Sequence, residues 1–251
     1  MKNVITTEVK SGVCNLRFLL GVFLIVLVAL VSEGAMLKKI ADMGGSPEGP
    51  GWSVAYTYCT NSINTFLFIP IAVAFSAGEN AQEELRTRFS MFSYIRTGKK
   101  KYLLGKAAGL LISGGFMICL AMGILLAVSV IGFGRYPSLE RAGVDTARLY
   151  AEAAVSFPRL FLNGAFWALV GGMAAVVTKN RYMAYAVPFI LYYVLTVFQE
   201  RYYQELFFLS PRYWASPIYY GNLFCIGVLF TGTLLMAFLF MWAIKRRLEH
   251  A

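Results

Sequence analysis

Six stretches of this sequence stay apolar for close to the twenty or so residues that a helix needs to cross the ~30 Å hydrocarbon core of a bilayer. They fall at about 18–37, 56–75, 107–131, 160–177, 183–198 and 223–244. Lipid offers no hydrogen bonds, so every backbone N–H and C=O in such a run must be satisfied inside its own segment, and helix is the only open form that does so. The expected fold class is therefore all-α: a polytopic membrane protein with six transmembrane helices. Of the 251 residues, 58% are hydrophobic and only 14% charged, and the connections between the runs are short. This leaves one transmembrane domain over 1–251 and no room for an independent catalytic domain.

The net charge of +10 is distributed with a bias. Cations next to membrane spans hold their loops in the cytoplasm. With the N-terminus placed inside, 15 of the 23 Lys and Arg residues collect on the cytoplasmic side. They are Lys2, Lys10, Arg17, the loop cations Arg86, Arg88, Arg96, Lys99, Lys100, Lys101 and Lys106, then Lys179, Arg181, Lys245, Arg246 and Arg247. The other side holds eight cations, Arg159 among them, balanced by eight acids. Both termini are thus expected in the cytoplasm. The basic run YIRTGKKKYLLGK needs no nucleic acid to account for its sign. It is also no phosphate-binding loop, because Lys100 follows Gly98-Lys99 where Ser or Thr is required, and no glycine stands five positions before Gly98.

The connections carry patterns of their own. In the loop 78–105, Leu85, Phe89, Phe92 and Ile95 recur at helical spacing, while Glu83, Glu84, Arg86, Arg88 and Arg96 lie elsewhere around the helix. The pattern predicts a short amphipathic helix, which either lies in the headgroups or docks into a soluble partner. Residues 1–17 offer a weaker stripe, Val4, Ile5, Val9 and Val13, and are expected to form an interfacial lead-in to a retained first span. The segment 199–222 crowds aromatic rings around Pro211 and Pro217, which suits either a pair of short re-entrant helices or an aromatic-belt loop.

Polar residues inside the spans narrow the chemistry. The second span carries Thr57, Thr60, Asn61, Ser62, Asn64 and Thr65. Contacts between helices account for such a patch, and contact with a substrate by Asn61, Asn64 and Thr65 is the alternative. Gly105, Gly109 and Ser113, and likewise Gly171 and Ala175, lie four apart, a spacing that allows close helix approach within a subunit or across a dimer. His250 is the single histidine and Glu33 the one acid within a proposed span, so histidine triads, histidine-rich metal sites and proton-coupled carboxylate pairs are not expected. The four cysteines are widely separated and read as small core residues.

Taken together, the six-span pattern, the acids Glu79, Glu83 and Glu84 followed by RFSMFSYIRTGKKKYLLGKA, and the outer segment FLSPRYWASP resemble the permease subunits of type II ATP-binding-cassette exporters. That resemblance implies a coupling helix over 79–95, with Glu79, Glu83, Glu84, Leu85, Arg88, Phe89, Phe92, Ile95 and Arg96 docking on a separate ATPase subunit. It also implies that Lys99, Lys100, Lys101, Tyr102 and Lys106 pass the movement into the third span. ATP and Mg would be bound by the partner, a second permease would complete the transporter, and a bacterial plasma membrane would be its site. This chain would then have no catalytic residue. A non-transporting immunity or assembly protein, and an intramembrane enzyme acting on lipid or peptide, are the rival readings.

Overall fold

A computed structural model describes the backbone of residues 2–43, 51–86, 98–133 and 146–249, and the side chains of 5–42, 51–75, 98–133 and 150–249. Among these residues there are helices and no strand. In chain order they are α1 (Lys2–Val13), α2 (Leu16–Ser32), α3 (Gly34–Met43), α4 (Trp52–Asn61), α5 (Ile63–Arg86), α6 (Lys99–Phe133), α7 (Thr146–Thr178), α8 (Met183–Tyr202), α9 (Pro211–Ala215) and α10 (Asn222–Glu249). A 3₁₀ turn, Phe207–Leu209, precedes α9. Four of these helices are long and apolar enough to cross a membrane, or up to six if each of two bent pairs counts as one span. The chain is thus a polytopic helical membrane protein by length and composition.

Helix α7 is the centre of the bundle. It packs against α5, α6, α8 and α10, and its apolar window is 78% buried, against 22–33% for those of α6, α8 and α10. Small residues make this enclosure feasible, because without a hydrophobic drive between helices in lipid the gain comes from close backbone packing. A methyl group on Gly114 of α6 would lie 2.5 Å from the Cβ of Ala168, and one on Gly164 of α7 would collide with the Gly114 carbonyl oxygen. Gly171 faces Ala74 of α5 and the Ala184 carbonyl of α8 in the same way. The stripe containing Gly171 therefore serves packing within the subunit. Helix α6 runs antiparallel to α7, as Leu110 meets Gly172 at one end and the Cys119 thiol reaches the Phe157 carbonyl at 3.7 Å further along. Helix α10 runs parallel to α7, and near its end the Arg247 guanidinium donates to the Val176 carbonyl at 3.1 Å, capping the last turn of α7.

Several expected boundaries move. Hydropathy marks where a chain enters lipid, and a helix need not stop there. The third run begins its helix at Lys99, and the second continues to Arg86, so 78–86 and 99–105 of the expected loop are helical. The fourth run begins at Thr146 and passes through Pro158. The first ends at Ser32, where Glu33 caps α2, so the one acid assigned to a span lies at a helix end. The second run is two helices, α4 and α5, bent by 59° at Ser62. Here Thr65 donates to the Cys59 carbonyl at 3.2 Å across the break, and the Ser32 and Ser62 hydroxyls meet at 3.1 Å.

The N-terminal helix also takes a more intimate place than a lead-in lying in headgroups. Helix α1 packs lengthwise on α6, and the face it presents includes Glu8 and Gly12. A methyl on Gly109 would meet the Cβ of Glu8 at 2.8 Å, and one on Gly12 would meet the Cβ of Ser113 at 2.9 Å. The glycine stripe of α6 is thus covered by this chain's own N-terminus. Lys106 is 5% exposed and pairs with Glu8 at 2.7 Å.

Candidate functional site: a polar cleft between α4, α7 and α10

A cavity of about 600 Å³ opens between α4, residues 152–160 of α7 and the start of α10. Phe157, beside it on α7, lies against Cys119, some twenty residues along α6 from Lys99, or about 30 Å of helix. The cleft therefore belongs to the end of the bundle remote from the Lys99–Lys101 cluster. Trp52 stacks on Tyr150 with ring centroids 4.5 Å apart at its rim, and Tyr56 and Leu160 supply more apolar wall.

The charged part of the lining comes from one face of α7, and α4 and Asn222 add neutral polar groups. Glu152, Ser156 and Arg159 follow the i, i+4, i+7 spacing of a helical stripe. Glu152 is exposed, whereas Arg159 is 5% exposed. Its guanidinium donates from one terminal nitrogen to the Asn222 side-chain carbonyl at the start of α10. Its Nε is buried and has no hydrogen-bond partner. Ser156 donates to the Ala153 carbonyl at 2.6 Å, which leaves its oxygen to accept from the Tyr56 hydroxyl at 3.5 Å. On α4, Thr57 and Thr60 return their hydroxyls to the Ser53 and Tyr56 carbonyls, both at 2.8 Å. These hydroxyls are spent on their own helices, so the strongest uncommitted donor facing the cavity is Arg159.

Of the substrate-pathway candidates, Asn61 alone lines this cleft. Its amide donates to the Thr57 carbonyl at 3.1 Å, and its oxygen accepts from Ser216 at 3.1 Å. Asn64 is exposed and Thr65 is buried at the α4–α5 break. Much of the polar patch is therefore structural, and Thr65→Val is expected to lower stability by about 1 kcal/mol, leaving the Cys59 carbonyl without its donor. Thermal unfolding of the purified protein, with a midpoint lowered by about 2–4 °C, checks this.

At the basic end, Lys99, Lys100 and Lys101 are exposed on the first turn of α6, while Tyr102 and Lys106 are buried one and two turns on. Glu79, Glu83, Glu84 and Leu85 lie on the last turns of α5. Arg88, Phe89, Phe92, Ile95 and Arg96 lie outside the described residues. The 199–222 segment contains two short helical pieces folded on their own rings: Phe207 and Tyr219 stack at 3.9 Å, and Trp214 donates to the Phe208 carbonyl at 2.6 Å. The four cysteines are free thiols, and no cluster of metal-ligating side chains occurs among the described residues.

Two residues escaped the sequence reading. Arg159 stood beside Pro158 just ahead of an apolar run and was counted with the loop cations. The 152, 156, 159 spacing was the signal that could have placed it inside a helix. Glu8 was counted with a polar lead-in, and no local pattern tied it to Lys106. Comparison of the chain with protein families, curated proteins and solved structures finds no match.

Proposed function

We propose that this chain is the membrane-spanning subunit of an ATP-driven exporter, working with a separate nucleotide-binding ATPase and a second permease in a bacterial plasma membrane, both termini cytoplasmic. Such a subunit has to receive movement from outside the lipid and pass it to helices within. The supporting observation is that α5 and α6 run on past their apolar segments at the basic end, to Arg86 and from Lys99, with only 87–98 between them. A push on that connection would act on two stiff levers, both packed on α7. The coupling helix implied by the family resemblance would be formed by the end of α5 and this connection, with Phe89 and Phe92 entering the ATPase. The aromatic segment 199–222 would cover the outer end as a re-entrant pair.

Replacing both Phe89 and Phe92 with Asp should leave the protein inserted and lower recovery of the ATPase subunit roughly tenfold or more, since removal of apolar anchors from a docking face dominates its affinity. Affinity isolation from native membranes reads this directly. Wild-type protein isolated with no nucleotide-hydrolysing subunit, or unchanged recovery in the double variant, would reject the exporter reading.

A further inference from the structure

The α4–α7–α10 cleft holds a buried cation that no anion among the described residues matches. Arg159 is 5% exposed, its Nε has no hydrogen-bond partner, and no carboxylate among the described residues forms an ion pair with it. Among the described residues its hydrogen bond goes to the Asn222 amide oxygen, a neutral acceptor that orients the guanidinium and leaves its charge standing. Charges within membrane helices are expensive and are retained where they bind or move something. The acid on the same face, Glu152, is exposed and lies seven residues away, about 10 Å along the helix, where solvent screens it.

We propose that this cleft binds a molecule carrying a carboxylate or phosphate group, with Arg159 as its anion-binding fork and Asn222 as the residue that aims it. A planar guanidinium with free N–H groups matches an oxyanion in two-point geometry, which a lysine ammonium would not. At about 600 Å³ the cavity is of the size that encloses a small organic ligand, well beyond a bare ion. The stacked Trp52 and Tyr150 and the side chain of Leu160 offer apolar surface to the rest of that molecule. The anion can arrive from the bilayer as a lipid phosphate or from water as a soluble phosphate or carboxylate. The assignment is independent of the exporter reading, and ATPase recovery tests that reading separately.

The test uses the full chain in phosphatidylcholine nanodiscs. One arm adds a minor fraction of phosphatidylglycerol and follows retained lipid by native mass spectrometry; the other titrates inorganic phosphate and acetate against tryptophan fluorescence. Wild-type protein is expected to retain phosphatidylglycerol over phosphatidylcholine, or to respond saturably to the soluble anions, and whichever arm responds identifies the source. Arg159→Gln should weaken that response at least tenfold, Arg159→Lys less, and Asn222→Ala, which leaves the charge in place, severalfold. Should Arg159→Gln fail to fold, Asn222→Ala still decides. Wild-type protein silent in both arms, or a folded Arg159→Gln or Asn222→Ala variant binding as wild type, overturns the proposal.

Discussion

Replacing Gly164 with leucine is expected to destabilise this protein more than any other single change considered, by about 3 kcal/mol or more. Gly164 of α7 and Gly114 of α6 meet backbone to backbone, and even a methyl at Gly164 would collide with the Gly114 carbonyl. That atom belongs to a hydrogen-bonded helix and cannot rotate aside as a side chain would. Overpacking of a tight interior ordinarily costs about 1–3 kcal/mol, and contacts with backbone lie at the upper end or beyond. Because α7 packs against α5, α8 and α10 as well as α6, separation of α6 and α7 spreads to the rest of the bundle. Thermal unfolding should show a midpoint lowered by about 6–12 °C. Gly123→Leu is the matched control, since nothing lies within 4 Å of a Cβ there, and its effect should stay within about 0.5 kcal/mol. Equal effects at the two positions would contradict the close approach.

Glu8→Gln should come next, at about 3 kcal/mol. Lys106 is almost fully enclosed, and the substitution removes the carboxylate charge that stands 2.7 Å from its ammonium. Breaking a buried pair from one side costs about 3–5 kcal/mol; the Glu8 side chain is 21% exposed, which places this pair at the lower end. The double variant Glu8→Gln, Lys106→Met removes both charges and should recover much of the loss. A cycle of the two single variants and the double, read by chemical or thermal unfolding, should therefore show strong coupling. Independent, additive effects would mean that the ion pair does not hold α1 on α6.

The contrast between these two contacts shows what a sequence of this kind makes legible. The apolar runs at 107–131, 160–177 and 223–244 announce α6, α7 and α10 because lipid imposes a length and a helical form on them together. The four-residue spacing of Gly105, Gly109 and Ser113 announces a close helix contact for an equally local reason. The partner of that stripe is not local. Glu8 and Lys106 are separated by nearly a hundred positions, and their pairing depends on how α1 turns at Asn15, whose side chain accepts from the Arg17 amide at 3.2 Å. The break at Ser62 is hidden for a similar reason: no proline or glycine marks it, and it is held by Thr65 and by Ser32 of another helix. Of the cleft, Asn61 was visible as a polar residue in a span. Arg159 was not, because Pro158 and its charge both imitate a loop, although proline is tolerated where neighbouring helices satisfy the freed backbone groups.

The enclosure of α7 bears on how the protein is made. A helix carrying Glu152, Ser156, Arg159 and Asn163 on its sequence meets a large partitioning penalty when it faces lipid alone, about 2.5–3.5 kcal/mol for an arginine at mid-bilayer and less towards its edge. Helix α6 leaves the ribosome first, carries no charged residue after Lys106, and already displays Gly114 to receive Gly164. Helix α7 is thus made after the helix that it packs against most closely. Asn222 is synthesised some sixty residues later and closes over Arg159 when α10 arrives. Until α10 is made, the Arg159 guanidinium lacks its Asn222 acceptor, and the arrival of α10 completes both the bundle and its cleft.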